Sequence, residues 1–146
     1  MHPLTTASST GILSTSHFLM TVDKSMCNPL GMCHGGCTAT VFDVLTSLAL
    51  GALPNPEIMQ GLSRTLNCTY LRPMPIGMKV VIGCDVVSAS KRLAVIRGWM
   101  REWDDSAPES VGPVRMKGEL LATCEHGKVR TNHQVKDEKP REGAKL

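Results

Sequence analysis

Aromatic side chains are scarce in this 146-residue chain: two Trp, one Tyr and two Phe, 3% of the sequence. That leaves little on which nucleic-acid bases could stack. A basic body is missing as well. The net charge is +3, but residues 1–127 hold 10 Lys and Arg against 10 Asp and Glu, and the excess sits in residues 128–146, with 6 against 3. No surface that tracks phosphates is implied, which argues against nucleic acid as a partner. Although 42% of the residues are apolar, no apolar run approaches the roughly 18 needed to cross a membrane. Residues 1–22 contain neither Lys nor Arg. They therefore lack the basic start of a secretory signal and the Arg-rich pattern of a transit peptide, and the expected compartment is the cytoplasm. The six Cys, at 27, 33, 37, 68, 84 and 124, include no C-x-x-C pair. Cys33, His34 and Cys37 lack a fourth ligand for zinc, so no metal is expected and the cysteines read as small buried apolar residues.

What is present reads as one domain, long enough to bury about two-thirds of its unfolded surface. Residues 1–11 are expected to be disordered and 128–146 to form a charged, unstructured tail, leaving 12–127 as the folded unit. Alternation over Ile12 to Val22 predicts a strand. Ser25 to Met32, with Asn28-Pro29 and Gly31, predicts a loop. From Cys37 to Gly51, Cys37, Ala39, Val41, Phe42, Val44, Leu45, Leu48, Ala49 and Leu50 leave no fully polar face, which predicts a buried helix. Pro54 and Pro56 block its continuation. Strands are predicted over Gly61–Arg72, Met78–Ser88, Leu93–Trp103 and Arg115–His126, with a polar loop over 104–113. One strand, one helix and four strands with short turns favour an α+β arrangement: an antiparallel sheet wrapped around one long central helix.

One carboxylate interrupts that helix. From Ser25 to Pro56, Asp43 is the only side chain fully charged at neutral pH. Burying an unpaired carboxylate costs more than one helix of this length can recover, so Asp43 points to function rather than packing. At about 100° per residue, Gly36, Thr40, Thr46 and Ser47 fall within roughly 60° of it. Gly35 and Gly36 open the helix, where unpaired N–H groups and the positive dipole end favour an oxygen acquiring negative charge. Seven residues at about 1.5 Å each hold Gly36 roughly 10 Å from Asp43, too far for both to touch one carbonyl. Two such helices running antiparallel across a two-fold axis bring Gly36 of each to Asp43 of the other. A homodimer with two shared sites is therefore expected.

Asn28, His34-Gly35-Gly36, Asp43 nine positions beyond the His, then Gly61-Leu-Ser63-Arg-Thr-Leu-Asn-Cys-Thr-Tyr-Leu-Arg-Pro73 and Gly77 together resemble the hotdog-fold acyl-CoA thioesterases of the phenylacetic-acid-degradation type, over about residues 12–127. The resemblance implies the hotdog fold and hydrolysis of acyl-CoA to free acid and CoA. CoA is then part of the substrate rather than a cofactor, and the assembly is a homodimer or a tetramer of two dimers. It implies Asp43 as general base or nucleophile and the Gly36 N–H as the oxyanion donor. His34 would position the thioester, Asn28 would contact the thioester or the attacking water, and Ser63 would orient water beside Asp43. Gly35, Thr46 and Ser47 are candidates to line the substrate, and Arg72, Lys91 and Arg92 are candidate cations for the phosphorylated nucleotide of CoA. Two rivals stand beside this reading. An acyl-CoA dehydratase on the same fold would want an Asp–His pair, and a non-catalytic acyl-CoA-binding module would need no such site.

Overall fold

Val80, Ile82, Cys84 and Val86 alternate along one strand and are fully buried, as are Ala94, Ile96 and Met100 on the next. Their period of two builds one apolar sheet face, and an apolar helix lies on it. The computed structural model describes residues 11–107 and 114–131, so the expectations for residues 1–10 and 132–146 lie outside the described residues. In order the elements are β1 (Ser14–Thr21), α1 (Gly35–Ala49), β2 (Leu62–Tyr70), β3 (Lys79–Ala89), β4 (Leu93–Trp103) and β5 (Met116–Val129). Short 3-10 turns occupy Lys24–Met26, Leu50–Ala52 and Pro56–Gln60. The five strands form one sheet in the order β1-β3-β4-β5-β2, every neighbouring pair antiparallel. This is the hotdog architecture.

The helix begins where His34, in an extended conformation, caps it by accepting the Gly36 N–H on Nδ1 at 3.0 Å. It passes after Ala49 into a 3-10 turn before Pro54. Phe42, Thr46 and Ala49 face the sheet and are buried. Gly98 of β4 permits this approach, since a Cβ there would stand 2.8 Å from the Phe42 ring and 2.7 Å from Cys124 Sγ. A side chain at 98 would lift the helix, and with it Asp43, off the strands.

The expected antiparallel sheet with one long central helix is what forms, and on the side of α1 away from the strands Gly36, Thr40, Val44 and Leu48 make an exposed stripe at helical spacing, with Val44 49% and Leu48 51% exposed. Five strands in one layer leave that side of a helix apolar all round uncovered. The stretch Gly35–Ala52 reaches 18 residues at a mean hydropathy of 1.3, so by length and composition it could cross a membrane, contrary to the sequence reading. Here Phe42, Ala49 and Leu50 of that stretch are packed in the core. Finally, β5 runs on to Val129, and Lys128, assigned by sequence to the tail, is buried in the sheet opposite Ser63 and Ala94.

Candidate active site

Helical spacing places Asp43 and Ser47 on one flank of α1, and Phe42 and Thr46 on the face against the sheet. The alternation of β5 points Ala122, Cys124, His126 and Lys128 inward at the same helix. On β2, which pairs with β5, Ser63 lies opposite Lys128 and Leu66 opposite His126. These three elements meet at the Asp43 carboxylate. Ser63 Oγ donates to Asp43 Oδ1 at 2.6 Å, and His126 Nε2 lies 2.9 Å from Ser63 Oγ and 3.3 Å from Asp43 Oδ1. On its other side, His126 Nδ1 is 2.6 Å from Thr46 Oγ1.

Counting hydroxyl protons limits the roles. Ser63 has one proton and gives it to the carboxylate, and Thr46 has one and gives it to the Phe42 carbonyl at 2.5 Å. Each hydroxyl oxygen then faces a ring nitrogen of His126 as an acceptor, and the tautomer of the ring sets which of the two receives its N–H. Burial pushes His126 below the ordinary histidine range; Asp43 draws it up and Lys128 pushes it down again. Burial likewise lowers Lys128, with Asp43 opposing. Lys128 Nζ is 2.8 Å from Ser47 Oγ, and Ser47 donates to the backbone carbonyl of Asp43 at 2.7 Å.

The Asp43 side chain is 43% exposed, which corrects the expectation of a deeply buried acid. It sits on the flank of the helix, where solvent reaches it. Ser63 and His126 both bind Oδ1, and among the described residues no hydrogen bond or ion pair reaches Oδ2. Thr46 is corrected as well. Expected to line the substrate, it is fully buried and bonded to His126. Ser47 is half-buried and engaged by Lys128 and the helix backbone.

The other end of α1 carries the remaining predicted residues. Gly35 C=O accepts from the Tyr70 hydroxyl at 2.9 Å, which pins the helix start to the end of β2. The Gly36 N–H, free in the sequence reading, is held by His34 Nδ1. Because that nitrogen accepts, the proton of neutral His34 is on Nε2, giving the exposed ring a donor. Asn28 Oδ1 accepts from the amides of Leu30 and Met32 at 3.0 and 3.2 Å, which fixes the turn and makes Nδ2 the free end of the amide. Gly31, with φ of 74°, closes this turn in a conformation that suits glycine. A cleft of about 330 Å³ opens here, lined by Cys33, Gly35, Thr38, Tyr70, Arg72 and Met74.

The three candidate cations do not gather. Arg72 follows β2 and pairs with Glu119 at 2.9 Å. Lys91 and Arg92 sit in the β3–β4 turn, and Leu93 shares Val129 as a strand partner with Leu62, the first residue of β2. Arg72 and the Lys91-Arg92 pair are thus at opposite ends of the sheet. Among the described residues, no three His, Cys, Asp or Glu side chains form a group that could hold a metal ion.

Sequence reading missed His126 and Lys128. The available signal was phase: Ala122 and Cys124 set the inward register of the last strand, and His126 and Lys128 continue it by steps of two. Two polar side chains in core phase, opposite a lone acid, are the pattern that marks them.

Comparison with known proteins converges on one group. The thioesterase superfamily model matches residues 30–105, which span α1, β2, β3 and β4. Acyl-coenzyme A thioesterase 13 of Mus musculus is 36% identical over 75 residues, 51% of this chain and 52% of that protein. The chain thus matches about half the length of this relative. The crystal structure of thioesterase superfamily member 2 from Mus musculus superposes with a TM-score of 0.63 at 28% identity, covering 80% of this chain and 81% of that one. A hypothetical thioesterase protein from Streptococcus pneumoniae TIGR4, solved with coenzyme A, gives a TM-score of 0.63 at 16% identity, over 80% and 84% of the two chains, and shares the fold. With a match across the helix and the strands beside it, and a carboxylate at the centre of the helix that they hold, the chain belongs to the thioesterase superfamily.

Proposed function

We propose that this protein hydrolyses acyl-CoA thioesters, in sites assembled between two copies of the chain. The observation that carries the reading is the Asp43 carboxylate: half exposed, with Oδ1 taken by Ser63 and His126 and Oδ2 left to act. A carboxylate oriented through one oxygen serves as a general base toward water, or as a nucleophile at the thioester carbonyl. Ser63 presents its hydrogen to Asp43, and His126, seated against Thr46, backs Ser63 from the strand side.

The Gly36 N–H supplies the oxyanion donor. It is spent on His34 Nδ1 in the free chain, and a carbonyl oxygen gaining negative charge is the stronger acceptor, so the substrate displaces the imidazole from it. The His34 ring and Asn28 Nδ2 then position the thioester. Gly36 and Asp43 remain roughly 10 Å apart along one helix, and a second copy resolves the distance. Its support is the surface: β2 is a sheet edge with exposed Leu62 and Tyr70, and Val44 and Leu48 are exposed on α1. The reaction as written needs no metal or further cofactor. The coenzyme A bound by the Streptococcus relative and the name of the Mus musculus relative both favour CoA as the thiol. Arg72 is the best-placed cation for its phosphates, since its pair with Glu119 is more than half exposed and such pairs are worth about 0–1 kcal/mol.

The Asp43–His126 pair is what an acyl-CoA dehydratase would need. His126 is 0% exposed, however, and lies behind Ser63, so no substrate carbon can reach it. The test is a turnover panel of short, aromatic and long acyl-CoAs, run with Asp43→Asn alongside. Thiol release by the wild type and a loss of about 100-fold or more in Asp43→Asn are expected; full activity in a folded Asp43→Asn protein would remove the mechanism.

A further inference from the structure

Lys128 has no part in the reaction above, yet it is a charged side chain sealed beneath the same turn of α1. Its residue is 5% exposed because β5 continues in phase to Val129. An ammonium in such a place is far less stable than in water unless a charge or a set of dipoles answers it. Here Nζ reaches Ser47 Oγ at 2.8 Å, and Ser47 donates to the Asp43 carbonyl at 2.7 Å. Two residues earlier on the same strand, His126 holds Thr46 and, through Ser63, the Asp43 carboxylate. His126 and Lys128 therefore grip consecutive helix residues, 46 and 47, in the turn that begins at Asp43.

The geometry points to Lys128 as a positioning residue for the carboxylate: it fixes the Asp43–Ser47 turn against β5 and supplies the positive charge that answers Asp43. The groups facing it are few. On its own strand stands His126 and on α1 stands Asp43, while its β2 and β4 partners are Ser63 and Ala94, neither of them charged. The electrostatics agree with this placement. Asp43 opposes the lowering of Lys128 by burial, and the Lys128 charge adds to burial in disfavouring the imidazolium of His126. The inference rests on the hydrolytic reading only for its effect on turnover.

The test uses the full-length protein and three variants. Lys128→Met removes charge and bond, Lys128→Arg keeps the charge, and Ser47→Ala breaks the link while leaving the charge. The His126 imidazole is titrated by NMR in each, and acyl-CoA kinetics are measured in parallel. In Lys128→Met the His126 midpoint is expected to rise and kcat to fall roughly 10- to 100-fold, with KM unchanged. Lys128→Arg restores the midpoint and part of kcat. A folded Lys128→Met protein that keeps the wild-type kcat, or whose His126 midpoint does not rise, overturns the assignment. Should Lys128→Met fail to fold, Ser47→Ala decides: kcat falls while the His126 midpoint holds, and a wild-type kcat in that variant overturns the assignment. A wild type that turns over no acyl-CoA defeats the hydrolytic reading alone, because the His126 titration is still readable and then decides the role of Lys128.

Discussion

Replacing Thr46 by Val keeps the shape of a fully buried side chain and removes one hydroxyl. That hydroxyl is 2.6 Å from His126 Nδ1 and 2.5 Å from the Phe42 carbonyl. The carbonyl retains its helical N–H, so it is not orphaned. The imidazole has no such reserve. With the ring proton on Nδ1, that buried N–H loses its acceptor, which costs about 1–3 kcal/mol. Taking about 2 kcal/mol and a urea slope of roughly 2 kcal/mol/M, the unfolding midpoint falls by about 1 M. Thr40→Val is the matched control. Its hydroxyl makes the same bond to the carbonyl four residues back, at 2.9 Å, but on the exposed face with no histidine beside it. A change within about 0.5 kcal/mol is expected there. Both variants are measured by urea denaturation followed by circular dichroism. Equal, small shifts in the two variants would refute an Nδ1–H of His126 donating to Thr46.

Other consequences can be measured directly. Ser63→Ala removes the hydrogen held on Asp43 Oδ1 at 2.6 Å, and kcat for acyl-CoA is expected to fall roughly 10- to 100-fold; an unchanged kcat excludes Ser63 from orienting the acid. Mixing Asp43→Asn with Gly36→Pro, each inactive alone, should restore about a quarter of wild-type activity if sites are shared across a two-fold axis, and no recovery after verified subunit exchange rules sharing out. Gly98→Ala places a Cβ 2.8 Å from the Phe42 ring, and overpacking of about 1–3 kcal/mol should appear in the urea midpoint. His126 and His17 are both held below the ordinary histidine value of 6.5, chiefly by burial. The unfolded chain therefore takes up protons at higher pH than the native one, so stability falls as pH drops through about 6.5 and levels off below the native values. A His126→Gln variant should show a shallower fall, read from thermal unfolding between neutral and mildly acidic pH.

The strands and the helix were legible because apolar periodicity is a local property. Ile82, Ile96 and Cys124 announce their strands by alternation, and Pro54 and Pro56 mark where the helix must stop. Asp43 was legible for a similar reason, since a lone charge in an apolar helix is conspicuous without any knowledge of its neighbours. Its surroundings were not. Ser63 lies 20 residues away and His126 a further 63, and only the pairing of β2 with β5 brings them to one oxygen. Lys128 was misread because a basic residue near the start of a charged segment looks like tail until its strand register is known.

The amino-acid order alone settled which segments are strand and helix, and that one acid in the helix is exceptional, because hydrophobic period and isolated charge are written along the chain. The fold alone decided that Gly36 N–H is capped by His34, that Thr46 serves a histidine rather than a ligand, and that Lys128 lies inside. Hydrogen bonds are made across sheet register and helix rotation. Both are set by how α1 beds on β4 at Gly98 and how β5 lines up with β2, contacts between residues far apart in sequence.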